Sequence, residues 1–231
     1  MNEELNVPRC IGIIMDGNRR WAKENGLLVF DGHRAGGKKL KEVVEWCKEC
    51  GIKHVIFFTF STENWNRKLE EVSYLLRLIG EFLTSELDNF HAQGGVLYCV
   101  GDTSKFPNDL QKIFKNAEEK TAENSGPHIY FALNYGGREE VLNAVRNIVQ
   151  MNPNREEITE EYFAWHLQTY QMPDPDLIIR TSGEERLSGF LPWQSVYSEL
   201  FFTDTFWPDF SKDEFLGMMR QYTERQRRFG A

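Results

Sequence analysis

The sequence predicts an α/β fold with a mostly parallel central sheet flanked by helices, on three observations. Short apolar runs lie at about residues 10–15, 54–60, 96–100, 128–133 and 176–180. The stretches between them carry apolar residues at a spacing near 3.6, as in Val72, Leu75, Leu76, Ile79, Phe82 and Leu83. Parallel strands need such a crossover, so this alternation implies a parallel sheet with helices on both of its faces. Finally, Asp-, Asn- and Arg-rich clusters follow most of the runs, where ligands gather in an open α/β sheet.

The first run ends at Ile13-Ile14-Met15 and gives way to Asp16-Gly17-Asn18-Arg19-Arg20-Trp21. A carboxylate at a strand end, then Gly and a helix opening with Asn and two Arg, suits a metal beside phosphate oxygens. A helix is expected over 34–50. Before it, Gly32-His33-Arg34-Ala35-Gly36-Gly37-Lys38-Lys39 approaches a phosphate-binding P-loop, with Leu27 to Phe30 as its strand. Lys39 stands where that motif needs Ser or Thr, which argues against a nucleotide hydrolase. Glycines opening a helix there would still offer backbone N–H groups to a diphosphate. The run at 54–60 leads into Ser61-Thr62-Glu63-Asn64-Trp65-Asn66-Arg67, and a long amphipathic helix follows over 69–90. That helix either walls a cavity for a long apolar substrate or simply packs on the sheet. Helices at 108–123, 138–150 and 159–168 complete the pattern. Asn134-Tyr135-Gly136-Gly137-Arg138 follows the fourth run, and the stretch from Arg180 to Ser188 follows the fifth.

At 231 residues the chain is read as a single domain over 1–231, and its formal net charge of −8 excludes a nucleic-acid surface. Any anionic ligand must then be held by local arginines. No apolar run approaches the ~20 residues that span a bilayer. The acidic start, Met1-Asn2-Glu3-Glu4, lacks a signal region and points to a cytoplasmic protein. Cys47-Lys48-Glu49-Cys50 falls at a helix end before Gly51, away from the helix N-terminus that would activate a thiol, so all four cysteines read as plain thiols.

Ile14-Met15-Asp16-Gly17-Asn18, Arg20-Trp21-Ala22, Gly32-His33, Phe60-Ser61-Thr62-Glu63-Asn64-Trp65 and Asn134-Tyr135-Gly136-Gly137-Arg138 together resemble the cis-prenyltransferases. The later motifs Asp176 to Glu184, Arg186-Leu187-Ser188, Tyr197-Ser198-Glu199-Leu200 and Trp207-Pro208-Asp209-Phe210 extend the likeness from about Arg9 to Gly230. On these the chain is identified as a member of the bacterial isoprenyl transferases, the undecaprenyl diphosphate synthase family. The resemblance implies a homodimer with a hydrophobic tunnel between the sheet and two helices, one of them the 69–90 helix. It also implies a Mg²⁺-dependent transferase that joins isopentenyl diphosphate to an allylic, farnesyl-type diphosphate. The expected product is undecaprenyl diphosphate, a lipid carrier for cell-wall polysaccharide that is handed to the membrane without a transmembrane segment.

Carried over by residue, the likeness assigns Asp16 to Mg²⁺ and leaving-group departure. Gly17, Asn18, Arg19, Arg20 and Trp21 surround the same diphosphate, and His33 assists there. Arg180, Arg186 and Ser188 become the isopentenyl diphosphate clamp, and Glu199 joins Asp16 as a metal residue. Asn64 stands where the condensed intermediate loses its proton, while Ser61, Thr62, Glu63, Trp65 and Arg67 shape the pocket. Arg228-Phe229-Gly230 is expected to reach the partner subunit's site. Between Gly26 and Gly32 the family usually has a Pro-Arg pair, whereas this chain places Val29 at the arginine position, with Arg19 or Arg34 as stand-ins. Two alternatives stay open: a shorter-chain synthase, and a noncatalytic subunit of the same fold.

Overall fold

The computed structural model describes residues 7–225. The strands β1 (Cys10–Ile14), β2 (His54–Ser61), β3 (Val96–Val100), β4 (His128–Tyr135), β5 (Leu177–Arg180) and β6 (Glu199–Phe202) form one sheet in the order β3-β4-β2-β1-β5-β6. Every neighbouring pair is parallel. β1, β4 and β5 are apolar and buried on both faces, as parallel strands require. Their crossovers are α1 (Asn18–Glu24) with α2 (Val29–Glu49), α3 (Leu69–Ala92), α4 (Asn108–Thr121), and α5 (Gly137–Met151) with α6 (Glu160–Trp165). After β6 the chain adds α7 (Lys212–Glu224).

One face of the sheet holds the larger core, where Ile11, Ile13, Val55, Phe57, Phe131 and Ile179 meet buried residues of α2, α3, α4 and α7. The second core is smaller and is closed mainly by Met172, Leu187, Phe190 and Leu191, from the segments on either side of β5. Helical cover is therefore uneven: one face carries a full row, and loops do much of the work on the other.

The structure corrects two sequence expectations. First, α2 starts at Val29, so Leu27 to Phe30 is no strand and the P-loop-like glycines lie within a helix. Their N–H groups belong to the helical ladder and are not open to a ligand. Gly32 and Gly36 instead mark a close helix crossing. A Cβ on Gly32 would stand 2.1 Å from the Asn18 carbonyl oxygen, and one on Gly36 would stand 2.3 Å from Asn18 Oδ1. Second, β6 and α7 lie outside the predicted elements. β6 is four residues long with an exposed Leu200, too short to show alternation.

All four cysteines are free. Burial pushes the Cys47 thiol far up, in keeping with a structural rather than redox role. Among the described residues, no helix is long and apolar enough to cross a membrane.

Candidate active site

Because all strands run the same way, their carboxyl ends share one edge, and β1 and β5 are adjacent there with Ile14 opposite Arg180. Two residues beyond Ile14, Asp16 meets Arg180 side by side. Arg180 Nη2 donates to Asp16 Oδ2 at 3.0 Å, while Nη1 donates to Ser188 Oγ at 2.9 Å and to the Arg186 carbonyl. The Arg180 side chain is 5% exposed, and its Nε has no hydrogen-bond partner. The backbone around Asp16 is equally fixed: its carbonyl accepts from Thr181 Oγ1 at 2.7 Å and from the Trp207 N–H at 3.0 Å. Gly17 turns the chain at φ 109°, and a Cβ there would sit 2.9 Å from Ser182 Oγ, so only glycine fits. Arg20 approaches the Asp16 carboxylate at 3.6 Å from the solvent side.

A second charged group faces this one across the mouth. Glu71, buried in the first turn of α3, offers Oε1 to Arg67 Nη1 at 2.9 Å, His33 Nε2 at 3.3 Å and Arg19 Nε at 3.8 Å. Burial acts to raise the Glu71 pKa, but Arg67, Arg19 and His33 together hold it below the ordinary carboxylate value. Burial also lowers the His33 pKa, outweighing its hydrogen bond to Glu71, so the imidazole is neutral near pH 7. Asn64 Oδ1 accepts from the Ser61 N–H at 3.2 Å, which fixes the amide at the end of β2.

Behind these groups lies a cavity of about 340 Å³. Asp16, Asn18, His33, Ser61, Asn64, Arg67, Arg180 and Ser188 line its mouth, and Leu40, Leu75, Leu78, Ile79, Phe82, Leu83 and Phe131 line its interior. The register slip of β2 against β4 at Phe58 to Phe60 lets both Phe58 and Thr59 reach it. Farthest along α3 among the lining residues are Phe82 and Leu83, about three to four turns from its start, and Phe82 meets Phe131 with centroids 6.1 Å apart in edge contact. Lys41 lies over the Phe82 ring and is paired with Glu86. Of the two sequence readings of the 69–90 helix, the cavity wall is therefore the one observed, and the same helix also packs on the sheet.

Several predicted residues lie elsewhere. Trp21 Nε1 donates to Asp209, and Trp65 packs against Phe60 and Phe106 while donating to Asn134 Oδ1 at 2.8 Å. Thr62 and Glu63 line a neighbouring depression with Gly136, Arg138 and Ser188. Arg186 is exposed and pairs with Glu184, while Arg19 and Arg20 form the outer rim. Of the two stand-ins for Val29, Arg19 joins the Glu71 group, whereas Arg34 points to Asp31 at 3.8 Å. Glu199 is not brought to Asp16. It starts β6 opposite Leu177, at the far end of the sheet from Arg180, and pairs with Arg225. Arg228-Phe229-Gly230 lies outside the described residues. Sequence reasoning missed Glu71, whose only local signal is its spacing of four from Arg67 on the helix.

No group of three His, Cys, Asp or Glu residues that could hold a metal occurs among the described residues. This donor set still fits Mg²⁺, which keeps several waters and is commonly held by one or two carboxylates together with substrate phosphates. Among the described residues, Asp16 is the one carboxylate lining the cavity.

An open parallel sheet whose carboxyl edge carries a guanidinium-rich mouth over an apolar cavity is complementary to an amphiphile with an anionic head. The comparisons agree with that class. Residues 14–230 match the family described as "Putative undecaprenyl diphosphate synthase". The isoprenyl transferase of Clostridium perfringens is 43% identical over 231 residues, covering 98% of this chain and 91% of that protein. Lavandulyl diphosphate synthase from Lavandula x intermedia, solved in complex with dimethylallyl diphosphate, superposes with a TM-score of 0.93 at 35% identity, over 97% of this chain and 99% of that one. A probable undecaprenyl diphosphate synthase from Campylobacter jejuni gives a TM-score of 0.82 at 29% identity over the whole of both chains. The chain belongs to the bacterial isoprenyl transferase (undecaprenyl diphosphate synthase) family and is a cis-prenyltransferase. Family membership supports enzymatic activity on diphosphate substrates and implies a metal-dependent mechanism.

Proposed function

We propose that the protein condenses isopentenyl diphosphate with an allylic, farnesyl-type diphosphate to make a cis-polyprenyl diphosphate. The observation that carries this reading is buried Arg180, which bridges Asp16 to Ser188 at the mouth of an apolar cavity. A guanidinium without full compensation is a ready diphosphate site, because it donates in a fork and keeps its charge. Arg180, Ser188 and the nearby Arg186 hold the isopentenyl diphosphate. Asp16, Gly17, Asn18, Arg19, Arg20 and His33 surround the allylic diphosphate, whose tail enters the cavity, and Trp21 braces the helix that carries them.

Asp16 would hold Mg²⁺ together with the diphosphate, and the ion supplies stabilisation of charge on the departing group. Arg19, Arg20 and the α1 N–H groups add to that field at the same place. Asn64, its carbonyl tied to Ser61, directs its NH₂ group into the cavity and orients the reacting chain. A neutral amide is a poor base, so the departing diphosphate or a water takes the proton. Ser61 and Arg67 shape the mouth, with Thr62, Glu63 and Trp65 behind them.

The undecaprenyl product follows the family description, and as a lipid carrier it would pass to the membrane from a cytoplasmic, single-domain enzyme. A shorter product is the second reading, favoured by the Phe82–Phe131 ring contact within the cavity lining. A homodimer is supported by an exposed apolar stripe on α5, formed by Leu142, Val145 and Val149, beside exposed Val196, Tyr197 and Leu200. In such a dimer Glu199, which pairs with Arg225, would serve the partner's site, as would Arg228-Phe229-Gly230.

The test is incubation with Mg²⁺, labelled isopentenyl diphosphate and allylic primers of several lengths, followed by chain-length analysis. A ladder of products with any primer supports the transferase and names its product. No incorporation with any primer would shift the reading to a noncatalytic subunit.

A further inference from the structure

Glu140, in the first turn of α5, is 1% exposed and takes no part in the site described above. Its carboxylate nonetheless accepts hydrogen bonds from three separate segments. Oε2 accepts from the Tyr135 hydroxyl at 2.6 Å and from Gln194 Nε2 at 3.1 Å, while Oε1 accepts from the Thr169 N–H at 3.0 Å and its hydroxyl at 2.8 Å. Burial and the adjacent Glu140 charge push the Tyr135 pKa up, so the phenol stays a donor. A buried carboxylate is costly unless its lone pairs are filled, and four donors fill them here.

The segment held through Gln194 is the one that carries the Arg180 partners. It is an unusual piece of chain: Ser188 at φ 49° and Leu191 at φ 51° lie in the left-handed region on either side of Gly189 at φ 79°. Non-glycine residues keep such angles only where their surroundings over-determine them. Two ties do so. The Gly137 N–H donates to the Gly189 carbonyl at 2.9 Å, and Glu140 holds Gln194 five residues further on. Gly189 directly follows Ser188, whose Oγ accepts from Arg180.

We infer that Glu140 is a positioning residue for the isopentenyl diphosphate half of the site, fixing the 186–194 segment so that Ser188 Oγ and the Arg186 carbonyl hold the Arg180 fork. This rests on the reading of Arg180, Arg186 and Ser188 as the isopentenyl diphosphate clamp. The allylic half is built around Asp16, α1, α2 and α3; among the described residues it has no direct hydrogen bond to Glu140 and is linked to it through Arg180 and Asp16.

Glu140→Gln keeps the shape but turns an all-acceptor group into one that presents NH₂ to a ring of donors. The expected result is a KM for isopentenyl diphosphate raised about tenfold or more, with the KM for the allylic diphosphate within about twofold of wild type. Gln194→Met, which removes only the Gln194 tie, is expected to shift the same constant in the same direction by less, and it decides the matter should Glu140→Gln fail to fold. Equal change in both KM values, or change in neither, in a variant with an unchanged unfolding midpoint overturns the inference. Wild-type incorporation, measured alongside, tests the site reading itself: a wild type that binds isopentenyl diphosphate in calorimetry but does not condense it removes the reaction, and the Glu140 question is then read from that binding constant alone.

Discussion

At the scale of single residues, Asp16 and Arg180 form an ion pair at 3.0 Å that leaves the Arg180 Nε without a partner. Asp16→Asn preserves the shape and the contact to the Gly17 N–H but removes the charge. Turnover with saturating substrates should fall on the order of 10²–10³-fold with the thermal unfolding midpoint little changed, and activity within a few-fold of wild type would sink the assignment. Gly36 tests a different property, the closeness of α1 to α2. Gly36→Ala drives a methyl group into the Asn18 amide and should cost about 1–3 kcal/mol in urea unfolding, because the Asn18 side chain must be displaced from a tightly packed crossing. His54 belongs to stability alone. Burial, then the charges of His128 and Arg9, lower its pKa from 6.5 to about 4. Between those values the unfolded chain binds more protons than the folded one, so this stability is complete above 6.5 and is lost as pH falls towards 4. His54→Asn should therefore narrow the gap between unfolding midpoints measured at about pH 5 and about pH 7.5.

At the scale of elements, much was legible in the sequence where periodicity was long. The 69–90 pattern became α3 almost to the residue, and the five predicted strands are present near their expected places. What escaped had physical causes. Leu27 to Phe30 is apolar and follows a turn, so it imitates a strand, although Val29 and Phe30 open α2, where Phe30 stacks on Tyr74 at 4.4 Å. Gly32 and Gly36 look like a loop because glycine disfavours helix, and only the approach of Asn18 explains them. The strand-end residues Asp16, Asn64, Arg180 and Ser188 were legible as one site since parallel topology fixes their common edge. Glu71 was not, because a first-turn glutamate is ordinary and its partners Arg19, His33 and Arg67 meet only in the fold. For α3 itself, Phe82→Ala removes the ring that meets Phe131 in the cavity lining. The product ladder should move to longer chains with little change in isopentenyl diphosphate KM, and an unchanged ladder would place the limit elsewhere.

At the scale of the whole molecule, the proposed homodimer would account for both the exposed α5 stripe and the remote position of Glu199. Val145→Asp places a charge in the centre of that stripe. On the proposed dimer, sedimentation should report a dimer for the parent chain and a monomer for this variant, with reduced activity. A charge-bearing variant that stays dimeric would locate the interface on another face.

The walls of the cavity also bear on how such a protein can change over generations. Head-group recognition draws on the segments after β1, β2 and β5 and on the helices α1 to α3, with Asp16 bonded to Arg180 and Glu71 to Arg67 and His33, so any alteration there must be matched by others. The lining of the inner end is held largely by α3, at Leu75, Ile79 and Phe82, about one helical turn apart and thus about 5.4 Å between successive rungs. A single substitution one rung up or down would lengthen or shorten the usable depth without disturbing the chemistry at the mouth. Product size in this scaffold is therefore free to drift in small, separately heritable steps, while the reaction stays constrained.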